Sequence, residues 1–220
     1  MNLVVIAYID DLLIYAQDDA TIVEFIKRMQ KADVKLRKEG TAEGFLGVDI
    51  MREGNKTILT QSGLAKRVVD ALGLCSKYTT ATATPAERAP LGRDLDGPDA
   101  SGTINYASVV GMLLYLCGHS RPDIAFAVHQ CARFTFAPKR SHEIALKRIG
   151  RYLKGTLDEG LILDPSDEFL IECYPDADFA GLWGYEDPND PHCVRSRAGW
   201  VITLAGCPIL WRSSLIQLIC

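Results

Sequence analysis

The sequence predicts an α+β fold in which short strands precede and follow a run of helices. Three observations carry that expectation. Two apolar, β-prone runs, Leu3 to Tyr8 and Leu12 to Tyr15, flank the adjacent acids Asp10 and Asp11. From about residue 104 to 156 the apolar positions recur with helical spacing. Beyond residue 160, β-like segments return, separated by Gly-, Asp- and Pro-containing turns.

Taken in order, the first two runs predict a tight hairpin turning at Asp10-Asp11. Asp18 or Asp19 is placed to cap a helix whose inner face is Ile22, Phe25, Ile26 and Met29. Phe45 to Met51 reads as a strand, Gly54-Asn55 as a turn and Thr57 to Thr60 as the returning strand. Ser62 is a candidate cap for a helix that buries Leu64, Val68, Val69 and Leu72 and stops at Gly73. Residues 79–103 are rich in Thr, Ala, Pro, Gly and Asp with no apolar period, which predicts a linker or long loop. Three helical patterns follow: Tyr106 to Cys117, Ile124 to Phe134 after Pro122, and Ile144 to Lys154 after Ser141 as cap. Leu161 to Leu163, Phe169 to Tyr174, Trp200 to Leu204 and Ile209 to Trp211 complete the strands, with Gly206 in the last turn.

The 220 residues carry 48% hydrophobic and 24% charged side chains, enough to bury a core. No apolar run is long enough to span a membrane. The net charge of −4 argues against a general nucleic-acid binder, so any such contact must come from a local basic face. The start of the chain lacks the features of a secretory signal. Its seven cysteines form no C-x-x-C pair, which points to reduced thiols and an intracellular setting. The histidines show no metal-ligand spacing.

Two carboxylates side by side repel unless a cation lies between them. In an apolar hairpin, Asp10 and Asp11 make chemical sense as oxygen donors for magnesium, which takes one or two protein carboxylates together with substrate phosphates. The same pair is common in plain turns, where Asp bonds the neighbouring backbone. The last helix offers a basic surface, with Lys147, Arg148, Arg151 and Lys154 beside the apolar stripe Ala145, Ile149, Tyr152 and Leu153. Such a face either tracks phosphates or is merely solvated. Arg121-Pro122-Asp123 reads as a helix start.

The stretch Tyr8-Ile9-Asp10-Asp11 resembles the Tyr-x-Asp-Asp motif of reverse transcriptase palms. "FLGVDI" (45–50), "YASVVGMLLYLCGHSRPDIAFAV" (106–128), "HEIALKRIGRYLKGT" (142–156) and "DADFAG" (176–181) follow in the order found in copia-type retrotransposon polyproteins. The resemblance runs from Leu3 to about Trp211. It implies a partial reverse transcriptase palm over 1–78, a helical thumb or connection over 104–156 and a truncated ribonuclease H-like mixed sheet over 160–220. It implies catalytic, metal-binding roles for Asp10, Asp11 and Asp176, with Mg2+ (or Mn2+) as the ion of the intact parent enzyme. Tyr8 would lie near the incoming nucleotide, Phe45, Leu46 and Gly47 on the strand that grips the primer, and Lys147, Arg148, Arg151 and Lys154 along the duplex. The implied partners are an RNA–DNA or DNA primer–template duplex and deoxynucleoside triphosphates, in a cytoplasmic particle and/or the nucleus.

The sequence departs from that family in the carboxylates. Palms hold a further metal-binding Asp upstream of the hairpin, and ribonuclease H needs further acids after its first Asp. Here no acidic residue follows Asp190, and "LIQLIC" ends the chain. The expectation is therefore a fragment with both active sites incomplete and little activity alone. The alternative is a non-catalytic nucleic-acid-binding remnant of a decayed element.

Overall fold

Apolar residues on either side of a two-residue turn fold back on each other. In the computed structural model, which describes residues 3–37, 44–187, 189 and 191–216, β1 (Leu3–Tyr8) pairs antiparallel with β2 (Asp11–Ala16). Asp18 caps α1 (Asp19–Lys31), accepting from the Thr21 backbone N–H at 2.7 Å. Ile22, Phe25, Ile26 and Met29 are the half-buried residues of that helix, as its spacing predicts. These elements belong to a first compact unit that ends at Ile50, and a second unit begins at Met51.

Phe45, Leu46 and Gly47 do not form the expected strand. Leu46 (φ 53°) and Gly47 (φ 71°) are the two central residues of a tight turn closed by a Val48 N–H to Phe45 carbonyl bond of 3.0 Å. Positive φ at both central positions is what a type I′ turn requires, and it explains the glycine. The strand β3 (Asp49–Glu53) starts only after this turn.

β3, whose last three residues lie in the second unit, forms a three-stranded sheet with β4 (Lys56–Thr60) and β5 (Leu161–Leu163). The sequence grouped 161–163 with the later strands, but it pairs with β4 instead, from Thr57↔Leu163 to Leu59↔Leu161. Four helices of this unit pack on one another: α2 (Ser62–Ala71), α3 (Tyr106–His119), α4 (Ala125–Ala132), which follows a 3-10 turn at Pro122–Ile124, and α5 (Arg140–Gly155). Leu113, Leu116, Leu146, Ile149 and Leu153 are wholly buried between them, each contributing about 1.5–3 kcal/mol. So α2, read from sequence as part of the first region, shares one core with α3 and α5. Gly150 permits the close approach of α5 to the end of α2, because a Cβ there would collide with Leu72 and Leu74.

Two expected caps are replaced. The N-cap of α2 is Gln61, with Ser62 already helical. At α5 the N-cap is Lys139, and His142 Nδ1 accepts its backbone N–H at 2.8 Å. His142 Nε2 then donates to the Gly92 carbonyl at 2.8 Å, and its ring stacks on Phe134. Burial lowers the pKa of this histidine and favours the neutral ring that both bonds require.

Residues 79–103 have no helix or strand of their own, yet they form an anchored strap along α5. Thr82 Oγ1 donates to the Arg148 carbonyl, Arg148 pairs with Glu87, Ser141 donates to Asp94, and Lys139 pairs with Asp99 at 2.8 Å. Ser101 donates to Glu143 from its backbone N–H at 3.0 Å and from Oγ at 2.7 Å. Lacking apolar periodicity, the segment reads as a linker, but Thr82, Glu87, Asp94, Asp99 and Ser101 tie it to α5 and the residue that caps it.

The last sheet, β6 (Ile171–Ala177), β7 (Arg197–Leu204) and β8 (Cys207–Leu215), is antiparallel throughout rather than mixed. The described residues thus give five α-helices and three small antiparallel sheets. Trp211 Nε1 ties β8 to the end of α3 by donating to the Cys117 carbonyl at 2.6 Å. None of the helices is long and apolar enough to cross a membrane.

Arg121, 2% exposed, is the main polar residue of the helical core. It donates to both Asp123 oxygens and to the carbonyl and hydroxyl of Thr156 at the end of α5. The Asp123 side chain is 37% exposed, so solvent screens this pair and its Coulombic contribution is modest. Glu143 is buried too. Burial pushes its carboxyl up, but the Ser101 bonds and Arg140 outweigh this and hold it below the usual 4.5. A depressed carboxylate stabilises the fold above its unfolded pKa, and the stability is lost as pH falls through the folded value. Glu143→Gln is therefore expected to lower stability by about 1.5–3 kcal/mol at neutral pH. In urea titrations the gap between wild type and variant should close as pH drops below about 4.5.

Candidate functional site

The turn of the first hairpin is built from Ile9 and Asp10, with Asp11 paired to Tyr8 at the start of β2. Ile9 has φ 51° and is 85% exposed. A β-branched residue in the left-handed region is strained by about 1–3 kcal/mol. The strain holds Asp10 at the tip, and both carboxylates are exposed with no hydrogen bond or ion pair among the described residues. Tyr8 and Asp11 are cross-strand partners on one face, and Tyr8 is 54% exposed. The exposed acids and ring form an open surface of oxygen donors beside an aromatic plate.

Val4, Val5 and Ile6 are exposed as well, so both faces of β1 lack cover within this unit. The placement of Asp10 and Asp11 at the hairpin end agrees with the sequence, except that Ile9 replaces Asp11 in the turn. Phe45, Leu46 and Gly47, which the resemblance implied would lie on a primer-gripping strand, lie in the type I′ turn described above.

Asp176 sits in the second unit, near the end of β6 and opposite Gly199 of β7. It is exposed. Its neighbour Asp178 accepts the Arg197 backbone N–H and so fixes the entry to β7. Among the described residues no three His, Cys, Asp or Glu side chains gather into a group able to hold a metal ion.

The four basic residues singled out on α5, Lys147, Arg148, Arg151 and Lys154, divide into two pairs. Arg148 faces the strap, bound to Glu87 and to Thr84 Oγ1 at 2.9 Å. Lys154 donates to the carbonyls of Leu74, at 3.0 Å, and Ser76. Lys147 and Arg151 lie with Arg140 and exposed Ile144 on a separate stripe, by their spacing of three and four residues. Neither makes an ion pair among the described residues. Sequence periodicity shows the basic surface but not which cations the strap has taken.

The reverse transcriptase (RNA-dependent DNA polymerase) family matches residues 1–87, which include the hairpin, β3, β4 and α2. The Pol polyprotein of transposon TNT 1-94 from Nicotiana tabacum is 31% identical over 97% of this chain and 16% of its own length. The chain is similar to the Pol polyproteins of copia-like retrotransposons over most of its length. The Pol polyproteins of transposons RE1 and RE2 from Arabidopsis thaliana are 31% and 30% identical, each over 94% of this chain and over 13% and 14% of their own lengths. The chain thus spans about one sixth or less of these Pol relatives. No solved structure matches it.

A strained turn that lifts unpaired acids into solvent does nothing for stability. The split of α5 yields a stability test. The Arg148 side chain is 22% exposed and that of Glu87 70%, so the pair is worth about 1 kcal/mol. Arg148→Ala is expected to cost about 1–2 kcal/mol once the Thr84 bond is included. Lys147→Ala should stay within about 0.5 kcal/mol of wild type. Chemical denaturation of both variants checks the difference.

Proposed function

We propose that this chain carries the metal-binding hairpin and duplex-holding helices of a retrotransposon reverse transcriptase, joined to a ribonuclease H-like sheet. Alone it acts as a nucleic-acid-binding piece with little catalysis. The observation that carries the reading is the exposed pair Asp10-Asp11, held without protein partners at the strained end of an apolar hairpin.

The donor set fits a hard divalent cation, because both groups are carboxylates with free oxygens. Magnesium held by Asp10 and Asp11 would neutralise charge on the oxygens of a transferring phosphoryl group. Tyr8, on the face of Asp11, offers its ring to a nucleotide sugar or base. Lys147 and Arg151 supply unpaired cations to a duplex backbone, and Arg148 and Lys154 support the strap and helix ends. Asp176 is the first acid of the ribonuclease H-like part. Such a protein works where the element's RNA is copied, in a cytoplasmic particle or the nucleus.

Two carboxylates are only part of the donor set that two metals need, and the described residues bring no third beside them. A lost ligand side costs several kcal/mol, and at about 1.4 kcal/mol per tenfold this removes several orders of magnitude in rate. The purified chain is expected to show no primer extension above background with magnesium. Fusion to a homologous palm segment that carries a further Asp should restore extension, and Asp10→Asn should abolish it again. Robust magnesium-dependent extension by the unfused chain would show that its site is complete.

Binding is tested separately. The double variant Lys147→Ala/Arg151→Ala should weaken binding to a primer–template duplex and lower the slope of log K against log salt by about two, near 0.9 per phosphate contact. An unchanged slope in a fluorescence titration would make that stripe an ordinary solvated face.

A further inference from the structure

Asp176 shares its sheet face with a built cationic group. Strand alternation puts Glu172, Tyr174 and Asp176 of β6 on one side with Arg197, Gly199 and Val201 of β7 and with Trp211 and Ser213 of β8. Two side-chain bonds follow this alignment: Arg197 Nη1 donates to Ser213 Oγ at 3.4 Å, and Thr203 Oγ1 donates to Glu172 at 3.5 Å. The register pairs Asp176 with Gly199 and Gly199 with Ser213. A row across the sheet therefore runs from a carboxylate, over a residue with no side chain, to a hydroxyl bonded to a guanidinium.

Packing does not demand glycine in the middle of that row. A Cβ at Gly199 would meet only the Arg212 carbonyl, at 3.5 Å, an ordinary van der Waals contact. Its effect is to leave a notch. On one rim Asp176 is exposed. On the other, the half-buried Arg197 guanidinium lies over the Phe126 ring, 5.1 Å from its centroid. Arg197 makes no ion pair among the described residues, because the nearby Asp178 carboxylate is bonded to its backbone N–H instead. Asp178 attracts this guanidinium without forming an ion pair with it, and a guanidinium held in place with donors left open is suited to an oxyanion.

We propose that the notch over Gly199 seats a backbone phosphate of a nucleic-acid strand, with Arg197 and Ser213 as its donors and Asp176 at the opposite rim. The inference rests on reading this sheet as ribonuclease H-like and names the residues that place the strand there. Arg197 and Ser213 are positioning residues: they set which phosphate lies against Asp176. The open middle of the row admits the phosphate without displacing a side chain.

The test uses the full chain and an RNA–DNA hybrid oligonucleotide, with fluorescence anisotropy from about 50 to about 200 mM salt. Arg197→Met keeps an apolar stem on Phe126 and removes the charge. Gly199→Val fills the notch and adds a residue favoured in strands. Each is expected to weaken hybrid binding about tenfold and to lower the salt slope by about one. Melting temperatures should stay near wild type, and Arg197→Lys should keep the slope. If Gly199→Val loses stability, Gly199→Ala serves as the second filled-notch variant. Wild-type binding and slope in both Arg197→Met and a stable filled-notch variant would overturn the phosphate seat and leave the reading of the sheet standing. No hybrid binding by the wild type even at low salt would overturn both.

Discussion

The second unit depends on what α5 can bury on one side and bind on the other. Leu146, Ile149 and Leu153 enter the core shared with α2, α3 and α4, and Gly150 lets the helix come close enough to α2 to do so. The neighbouring side carries Ser141, His142, Glu143 and Arg148, which hold the strap of residues 79–103. Because Glu143 is buried, its charge must be met, and Ser101 and Arg140 meet it. At its far end, Thr156 receives Arg121, which links the helix to the turn before α4. Core packing, strap and polar network therefore converge on one sixteen-residue element.

Much of this was legible wherever a local signal matched a local cause. Helical spacing located the inner face of α1 at Ile22, Phe25, Ile26 and Met29, and apolar alternation located the first hairpin. Gly54 and Gly206 sit at positive φ in the turns their sequence context suggests. What failed were features decided by distant partners. The pairing of Leu161–Leu163 with β4 joins residues a hundred positions apart in the chain, and no local pattern reports it. Phe45 to Gly47 has the composition of a strand, but the positive φ of Leu46 and Gly47 makes it a turn. The strap lacks periodicity because its order comes from polar bonds to α5 and not from an apolar face of its own.

The candidate site divides in the same way. Residue type and apolar flanks drew attention to Asp10 and Asp11, whereas Asp176 stood out only through the family resemblance. The strain at Ile9 was not legible, because a β-branched residue gives no hint that it will take a left-handed conformation. Nor does sequence distinguish Lys147 and Arg151 from Arg148 and Lys154. All four are basic and on one helix, and only tertiary partners, the strap for Arg148 and the segment after α2 for Lys154, decide which charges remain available.

That division bears on how this chain meets a polyanion. An Arg already paired with Glu87 must give up that pair before it binds a phosphate, so its net gain is small. Lys147 and Arg151 face no such exchange. The net charge of −4 opposes long-range attraction. Contact must therefore come from a few cations kept free of carboxylates, and the fold keeps them free by spending its acids elsewhere. Glu87, Asp99 and Glu143 are used between strap and helix, Asp123 on Arg121, and Glu186 on Arg133. The acidic composition and a local basic surface are then compatible, because Glu87, Asp99 and Glu143, which lie against α5 and its N-cap, are bound to cations that hold strap and helix together.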